Sequence, residues 1–256
     1  MGTDLHVDLG LLYSFLLVLA RVSGAFIYVP LPGIKAGPEP ARVVLSMGTT
    51  FVLFASWPHV DPSQVNIAVL MGWMFAEAGL GLAVGLATSF LTEGFQVGAQ
   101  IVSLQAGFSF ATTIDPTSGA DSGVLLTVAQ MAAGLLFFAT GLDRQILMIF
   151  AQSLQTHPPG QLHINPSVVT ALIAAGGMVF VTGLRLVLPL LGLLLMVEIS
   201  LALLARLNSQ LQLTMLAFPI KLLVSLGLLA WLVMIFPKVF EKTSHSILQL
   251  IKNILS

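Results

Sequence analysis

Residues 65–91 read VNIAVLMGWMFAEAGLGLAVGLATSFL, with one charge, Glu77, in the whole run. A strand crosses a bilayer in about 9–11 residues and a helix in about 20, so a run of this length reads as a helix. Its backbone groups then pair within the segment, which hydrocarbon requires. Further apolar stretches cover residues 9–29, 41–57, 124–154, 168–207 and 213–236. The pattern predicts an all-α integral membrane protein, one membrane domain over residues 1–256 with about six hydrophobic segments. Composition points the same way. Charged residues make up 8% of the chain, against about 25% in soluble domains, and mean hydropathy is +0.99.

Several classes of function fall away. Net charge is −1, so nucleic acid is not an expected partner. With no cysteine, disulfides, thiolate metal sites and thiol catalysis are excluded. His6, His59, His157, His163 and His245 are scattered, and none pairs with another at i, i+4, so no metal site is expected. No P-loop, His-Glu-x-x-His or Gly-x-Ser-x-Gly motif occurs, and neither an enzyme activity nor a cofactor is expected. Asp4 and Asp8 precede the first stretch without a basic residue. That is the wrong charge for a signal peptide, so 9–29 is expected to remain as a helix.

Proline and glycine divide the rest. Pro30 to Gly33 with Pro38 and Pro40 ends the first stretch, and Pro58 and Pro62 stop the second. Residues 92–123 are Gly-, Ser- and Thr-rich and only mildly apolar. A break is expected near Gly141, Asp143 and Arg144, and residues 157–166 read as an exposed loop. Residues 168–207 exceed one perpendicular span, and Pro189 predicts a kink or a broken pair there. The tail, 237–256, mixes Lys238, Lys242 and Lys252 with Ile247, Leu248, Ile251 and Ile254, which predicts a short amphipathic helix. Lys35 and Arg42 mark the first loop as cytoplasmic and the tail lysines mark the C-terminus likewise. Five simple crossings between them would place these on opposite sides, so one segment departs from simple crossing.

Polar residues inside apolar sequence are the functional leads. Glu77, Gly81, Gly85 and Ser89 recur every four residues and form one helical ridge of small residues headed by a carboxylate. Close helix packing and a proton-relay carboxylate both fit. Arg21, Arg185, Glu198, Arg206 and Lys221 would each cost about 2.5–3.5 kcal/mol at a bilayer centre, so they must pair, snorkel or face water. Glu198 and Arg206 share a face but stand about 12 Å apart along it, which rules out a direct bond and predicts partners on other helices or subunits. Residues 104–123 read LQAGFSFATTIDPTSGADSG. Asp115-Pro116-Thr117-Ser118-Gly119 is turn chemistry, preceded by Phe108, Phe110 and Ile114. An exposed loop and a pore-lining segment both suit it.

Taken in order, these blocks resemble the FliR family, the flagellar type III export-gate proteins, called SctT in virulence systems. The resemblance rests on Ala20 to Gly24, Pro30, Gly33 and Pro40 to Val43; on Glu77, Gly81 and Gly85; on Gly98 to Ile101, Leu104 to Ala111, Asp115-Pro116 and Gly119; and on Ala205 to Gln210 with Phe218 to Lys221. The chain departs from the family in having Ser209 where proline is frequent, and Gly141-Leu142-Asp143 where Gly-His or Asn-His is frequent.

The resemblance implies an arrangement that composition does not supply: tilted hairpins, a FliP-like portion fused to a FliQ-like portion, in a helical assembly around a pore. Implied partners are several copies each of FliP-like and FliQ-like subunits, an FlhB-like subunit, an FlhA-like component and the flagellar basal body in the bacterial inner membrane. Unfolded rod, hook and filament proteins would be the cargo. The loop Gly107, Phe108, Ser109, Phe110, Ala111, Thr112, Thr113, Ile114, Asp115, Pro116 to Gly119 would project inward and plug the closed channel, its apolar side chains dewetting the constriction. The alternative from the residues alone is a proton-coupled secondary transporter of a small solute, with Glu77 or Glu198 carrying the proton.

Overall fold

The computed structural model describes residues 8–29, 40–106, 124–156, 158, 166–207 and 213–255. The expected plug, 107–119, lies outside the described residues, as do 30–39 and 208–212. Every regular element among the described residues is helical. These are α1 (Leu9–Phe26), α2 (Pro40–Val52), α3 (Ile67–Ala106), α4 (Val124–Ala139), α5 (Leu142–Thr156), α6 (Pro166–Leu207) and α7 (Leu213–Leu255), with short 3-10 turns at Leu53–Ser56 and Pro62–Gln64. Among the described residues three helices are long and apolar enough to cross a membrane: Leu9–Phe26, Ile67–Ala106 and Val169–Arg206. The pair Leu125–Ala139 and Leu142–Thr156, bent by 57°, makes a fourth if taken as one broken span. The chain is thus an all-α membrane protein.

The α4–α5 bend has a local cause. Gly141 sits at φ 68°, in the left-handed region that glycine enters without steric cost. Its N–H donates to the Phe138 carbonyl at 3.0 Å, closing α4 as glycine commonly closes helices. Asp143 follows in the first turn of α5, where a carboxylate faces the positive helix end.

Three boundaries differ from the sequence expectation. The helix expected over 65–91 runs on to Ala106. Its continuation is rich in small and polar residues, but Thr92, Gln96 and Ser103 are buried, and Gly94 and Gly98 bring α3 against α6: a Cβ on Gly98 would come within 3.2 Å of the Gly183 carbonyl oxygen. Mild hydropathy there reflects close packing, not a loop. Second, the helix pair broken at Pro189 does not form: α6 continues through Pro189 as one helix. Proline removes one N–H, whereas a break in apolar surroundings would strand several backbone groups. Third, the tail is no separate helix; α7 passes Pro219 and Pro237 and reaches Leu255. Its last turns are amphipathic as the sequence predicts, with Ile247, Ile251 and Ile254 buried and Lys252 exposed.

The three long helices hold 40, 42 and 43 residues. At 1.5 Å per residue each is about 60 Å long, roughly twice the hydrocarbon thickness of a bilayer.

Two compact units emerge: Met1–Ser89 with Phe137–Ala175 and Ser244–Ser256, and Phe90–Leu136 with Gly176–Thr243. In the first, Asp8 caps α1 by accepting from the Gly10 N–H at 2.9 Å. The Ser14 hydroxyl reaches the Pro58 carbonyl at 2.6 Å, and the Trp57 indole N–H donates to the Thr50 carbonyl at 3.0 Å. Arg42 donates to the Ile27 carbonyl just beyond α1, where a cation suits the negative helix end. Leu17, Val18 and Val22 fill the core of this unit. In the second unit the Phe95 ring packs 4.2 Å from Phe236 and 5.5 Å from Phe240, centroid to centroid.

Candidate functional site

In the first unit, the ridge headed by Glu77 lies against α1. A Cβ on Gly81 would collide with the carbonyl oxygen of Arg21, one on Gly85 with that of Ala25, and one on Gly24 with that of Ala78. The two backbones therefore touch across three glycines, a spacing no other residue permits. Ser89, the last of the ridge, turns its hydroxyl to the Leu86 carbonyl at 2.9 Å.

That contact seals a charge pair. The Nε–H of Arg21 donates to Oε2 of Glu77, and the two side chains are 1% and 0% exposed. A second donor, Nη1, reaches the Ser153 hydroxyl oxygen on α5 at 2.9 Å, while that hydroxyl donates to the Phe150 carbonyl at 2.9 Å. Oε1 of Glu77 is buried and has no hydrogen-bond partner among the described residues. Desolvating both ions costs several kcal/mol each, offset by their attraction at short range. Three helices, α1, α3 and α5, are pinned at this point.

In the second unit, Lys221 on α7 donates to Oε1 of Glu198 on α6 at 2.8 Å. This pair is open, with Lys221 19% and Glu198 52% exposed. Gln105 approaches the other oxygen at 3.5 Å, long for a hydrogen bond. Glu198 thus meets Lys221, not Arg206. Arg185 and Arg206 are exposed, and neither has an ion pair or hydrogen bond among the described residues. Arg206 occupies the last turn of α6, where the helix dipole favours it.

The second unit also holds an apolar cleft of about 350 Å3, walled by Phe95, Val102, Leu125, Ala129, Leu186 and Phe236 among others. Its walls come partly from α3 and α4, the helices that flank the segment 107–123.

Reading the sequence alone misses Ser153, for which no local signal exists. It also misses the Gly94, Gly98 and Gly183 contact. Gly94 and Gly98 stand four apart, a small-xxx-small spacing that marks such contacts. No group of three His, Asp or Glu side chains that could hold a metal forms among the described residues. The two ion pairs and the glycine crossings fix helices against one another.

Known proteins place the chain. The model of the family described as "Bacterial export proteins, family 1" matches residues 12–247. The "Flagellar biosynthetic protein FliR" of Escherichia coli (strain K12) is 31% identical over 95% of this chain and 92% of its own length. The protein of the same name from Bacillus subtilis (strain 168) is 23% identical over 95% of both. The "Surface presentation of antigens protein SpaR" of Salmonella typhimurium is 25% identical over 88% of this chain and 83% of its own.

Proposed function

The chain belongs to the FliR family, family 1 of the bacterial export proteins, and from that membership we propose that it is a subunit of the type III export gate in the flagellar basal body of the inner membrane. It forms part of the protein-conducting pore for unfolded rod, hook and filament proteins, together with FliP-like, FliQ-like and FlhB-like subunits and an FlhA-like component. The observation that carries this reading is a likeness to the Escherichia coli protein, 31% identical along 95% of the chain.

Physical features support it. Helices of about 60 Å cannot be covered by a single bilayer of about 30 Å, which suits tilted hairpins buried among sister subunits. Large apolar side chains stand exposed along α6 and α7, Met196, Leu203, Leu223 and Met234 among them, as a surface made for protein or lipid requires. Both carboxylates that a proton-coupled transporter would use are engaged with cations, Glu77 with Arg21 and Glu198 with Lys221. The plug role of Gly107 to Gly119 rests on the family resemblance and on the Phe-Ser-Phe and Asp-Pro chemistry of the segment.

Two measurements test the proposal. Deleting the gene from its host should stop secretion of hook and filament proteins, and the tagged chain should co-purify with FliP-like and FliQ-like polypeptides. A chain that purifies alone and leaves secretion intact when deleted would overturn the export role. Cells carrying the 108–114 deletion should become leaky to small ions at rest; unchanged membrane tightness would discard the plug.

A further inference from the structure

Along α6, Met178, Val181, Leu188, Met196, Ile199 and Leu203 are each about half exposed or more. At 100° per residue they fall with Arg185, Gly192 and Arg206 into one band about 80° wide. The band is apolar except for its two arginines, and Arg185 and Arg206 have no ion pair among the described residues. It holds no carboxylate: the single acidic residue of α6, Glu198, falls on another side and is engaged with Lys221. We propose that this band is a docking surface for a membrane helix of a different protein, one that places a carboxylate opposite Arg185. The inference rests on the reading above that the chain works inside an assembly, and it specifies the chemistry of one partner.

Length and charge together select protein over lipid as the cover. From Met178 to Arg206 the band is about 42 Å long, and hydrocarbon is about 30 Å thick. Arg206 ends the band and reaches headgroups or water without difficulty. Arg185 lies about 10 Å inside the other end. A hydrocarbon boundary drawn at Arg185 would leave Met178 and Val181 in water. Hydrocarbon extended over them would instead bury an unpaired guanidinium, which such an environment penalises strongly. A helix that is apolar along the band and acidic at the Arg185 level removes both conflicts. Gly192, midway along, has nothing within 4 Å of where its Cβ would stand, leaving room for close backbone approach.

The test uses cells that make the whole export apparatus, with the photo-crosslinker benzoylphenylalanine at Leu188 or Met196, and at Phe180, about 120° round α6 from the middle of the band, as control. Irradiation should give an adduct from Leu188 and Met196 to a different membrane protein. The joined peptide should hold an Asp or Glu within one helical turn of the level of Arg185. Arg185→Glu should lower the adduct per molecule of chain at least tenfold, and changing that acidic residue to Arg in the same cells should restore it. If Arg185→Glu does not accumulate, Arg185→Gln gives the same reading, with a several-fold loss expected. Adducts to lipid alone, to a second copy of this chain or to a peptide without an acid would overturn the inference, as would an adduct indifferent to both variants. Should the chain still co-purify with export subunits in those cases, the docking surface is wrong and the export role stands. Loss of co-purification in the unsubstituted protein removes both.

Discussion

Arg21–Glu77 and Glu198–Lys221 are both pairs of a carboxylate with a basic side chain, in two environments. Each joins two helices, yet the first is sealed beneath glycines that let backbones touch, with side chains 1% and 0% exposed, and the second lies open at 19% and 52%. Burial magnifies everything about an ion pair: the cost of desolvating it, the attraction that offsets that cost, and the penalty for removing one partner. An open pair loses most of this wherever water and salt reach it. The difference teaches that the intramembrane charges of this chain do not form one class. One pair locks a helix crossing, one joins two helices in the open, and Arg185 has no ion pair among the described residues.

The hardest blow to the contrast is to force the sealed crossing apart. Gly81→Leu places a side chain where the Arg21 carbonyl stands. The helices must separate, and the ion pair then loses both its contact and its shield from solvent. We expect no folded protein in the membrane fraction, measured by resistance to limited proteolysis in mild detergent. Normal protease resistance in Gly81→Leu would mean that the crossing is loose and the contrast false.

Next comes the pair itself. Glu77→Leu leaves a guanidinium buried without its counter-ion and should cost about 3–5 kcal/mol, seen as a large fall in the thermal midpoint of the detergent-solubilised protein. The double substitution Arg21→Leu/Glu77→Leu should be more stable than Glu77→Leu alone, because two apolar groups replace an orphaned charge. If the double variant is worse, the pair does more than balance charge. Ser153→Ala is milder. It removes the oxygen that accepts from Nη1 of Arg21 at 2.9 Å, and a hydrogen bond to a charged group contributes about 1.5–3 kcal/mol. A midpoint shift clearly smaller than that of Glu77→Leu is expected.

Much of this was legible before the fold was known. Apolar runs gave the helices, Gly141 gave the bend, and every charge just discussed stood out against its neighbours. Partners were not legible. Arg21 finds Glu77 at 56 residues and Ser153 at 132 residues along the chain, and no local periodicity encodes such separations. Helix ends failed for a related reason. Hydropathy scores Thr92, Gln96 and Ser103 as loop-like, yet they lie buried in α3, where Gly94 and Gly98 allow α6 to approach. Packing by small residues is nearly invisible to a scale that measures transfer from water. The segment 107–119 stands apart again: its chemistry was conspicuous in sequence, and its placement lies outside the described residues.

The smallest effect is expected at the open pair, and it is the sharpest check on the contrast. Lys221→Ala removes an ammonium 2.8 Å from a carboxylate that is 52% exposed. Where water reaches Glu198 in the detergent-solubilised protein, the loss should stay within about 0–1 kcal/mol. Added salt should shrink it further, because charges open to solvent are screened over about 10 Å at 0.1 M, while the stability lost in Glu77→Leu should hardly respond. Thermal midpoints of both variants, read at low and high salt in one detergent, settle the matter. A Lys221→Ala loss as large and as salt-insensitive as that of Glu77→Leu would mean that Glu198 and Lys221 are covered in the protein that was measured. The surface around them would then be an occupied one, and the ordering of the two pairs would have to be abandoned.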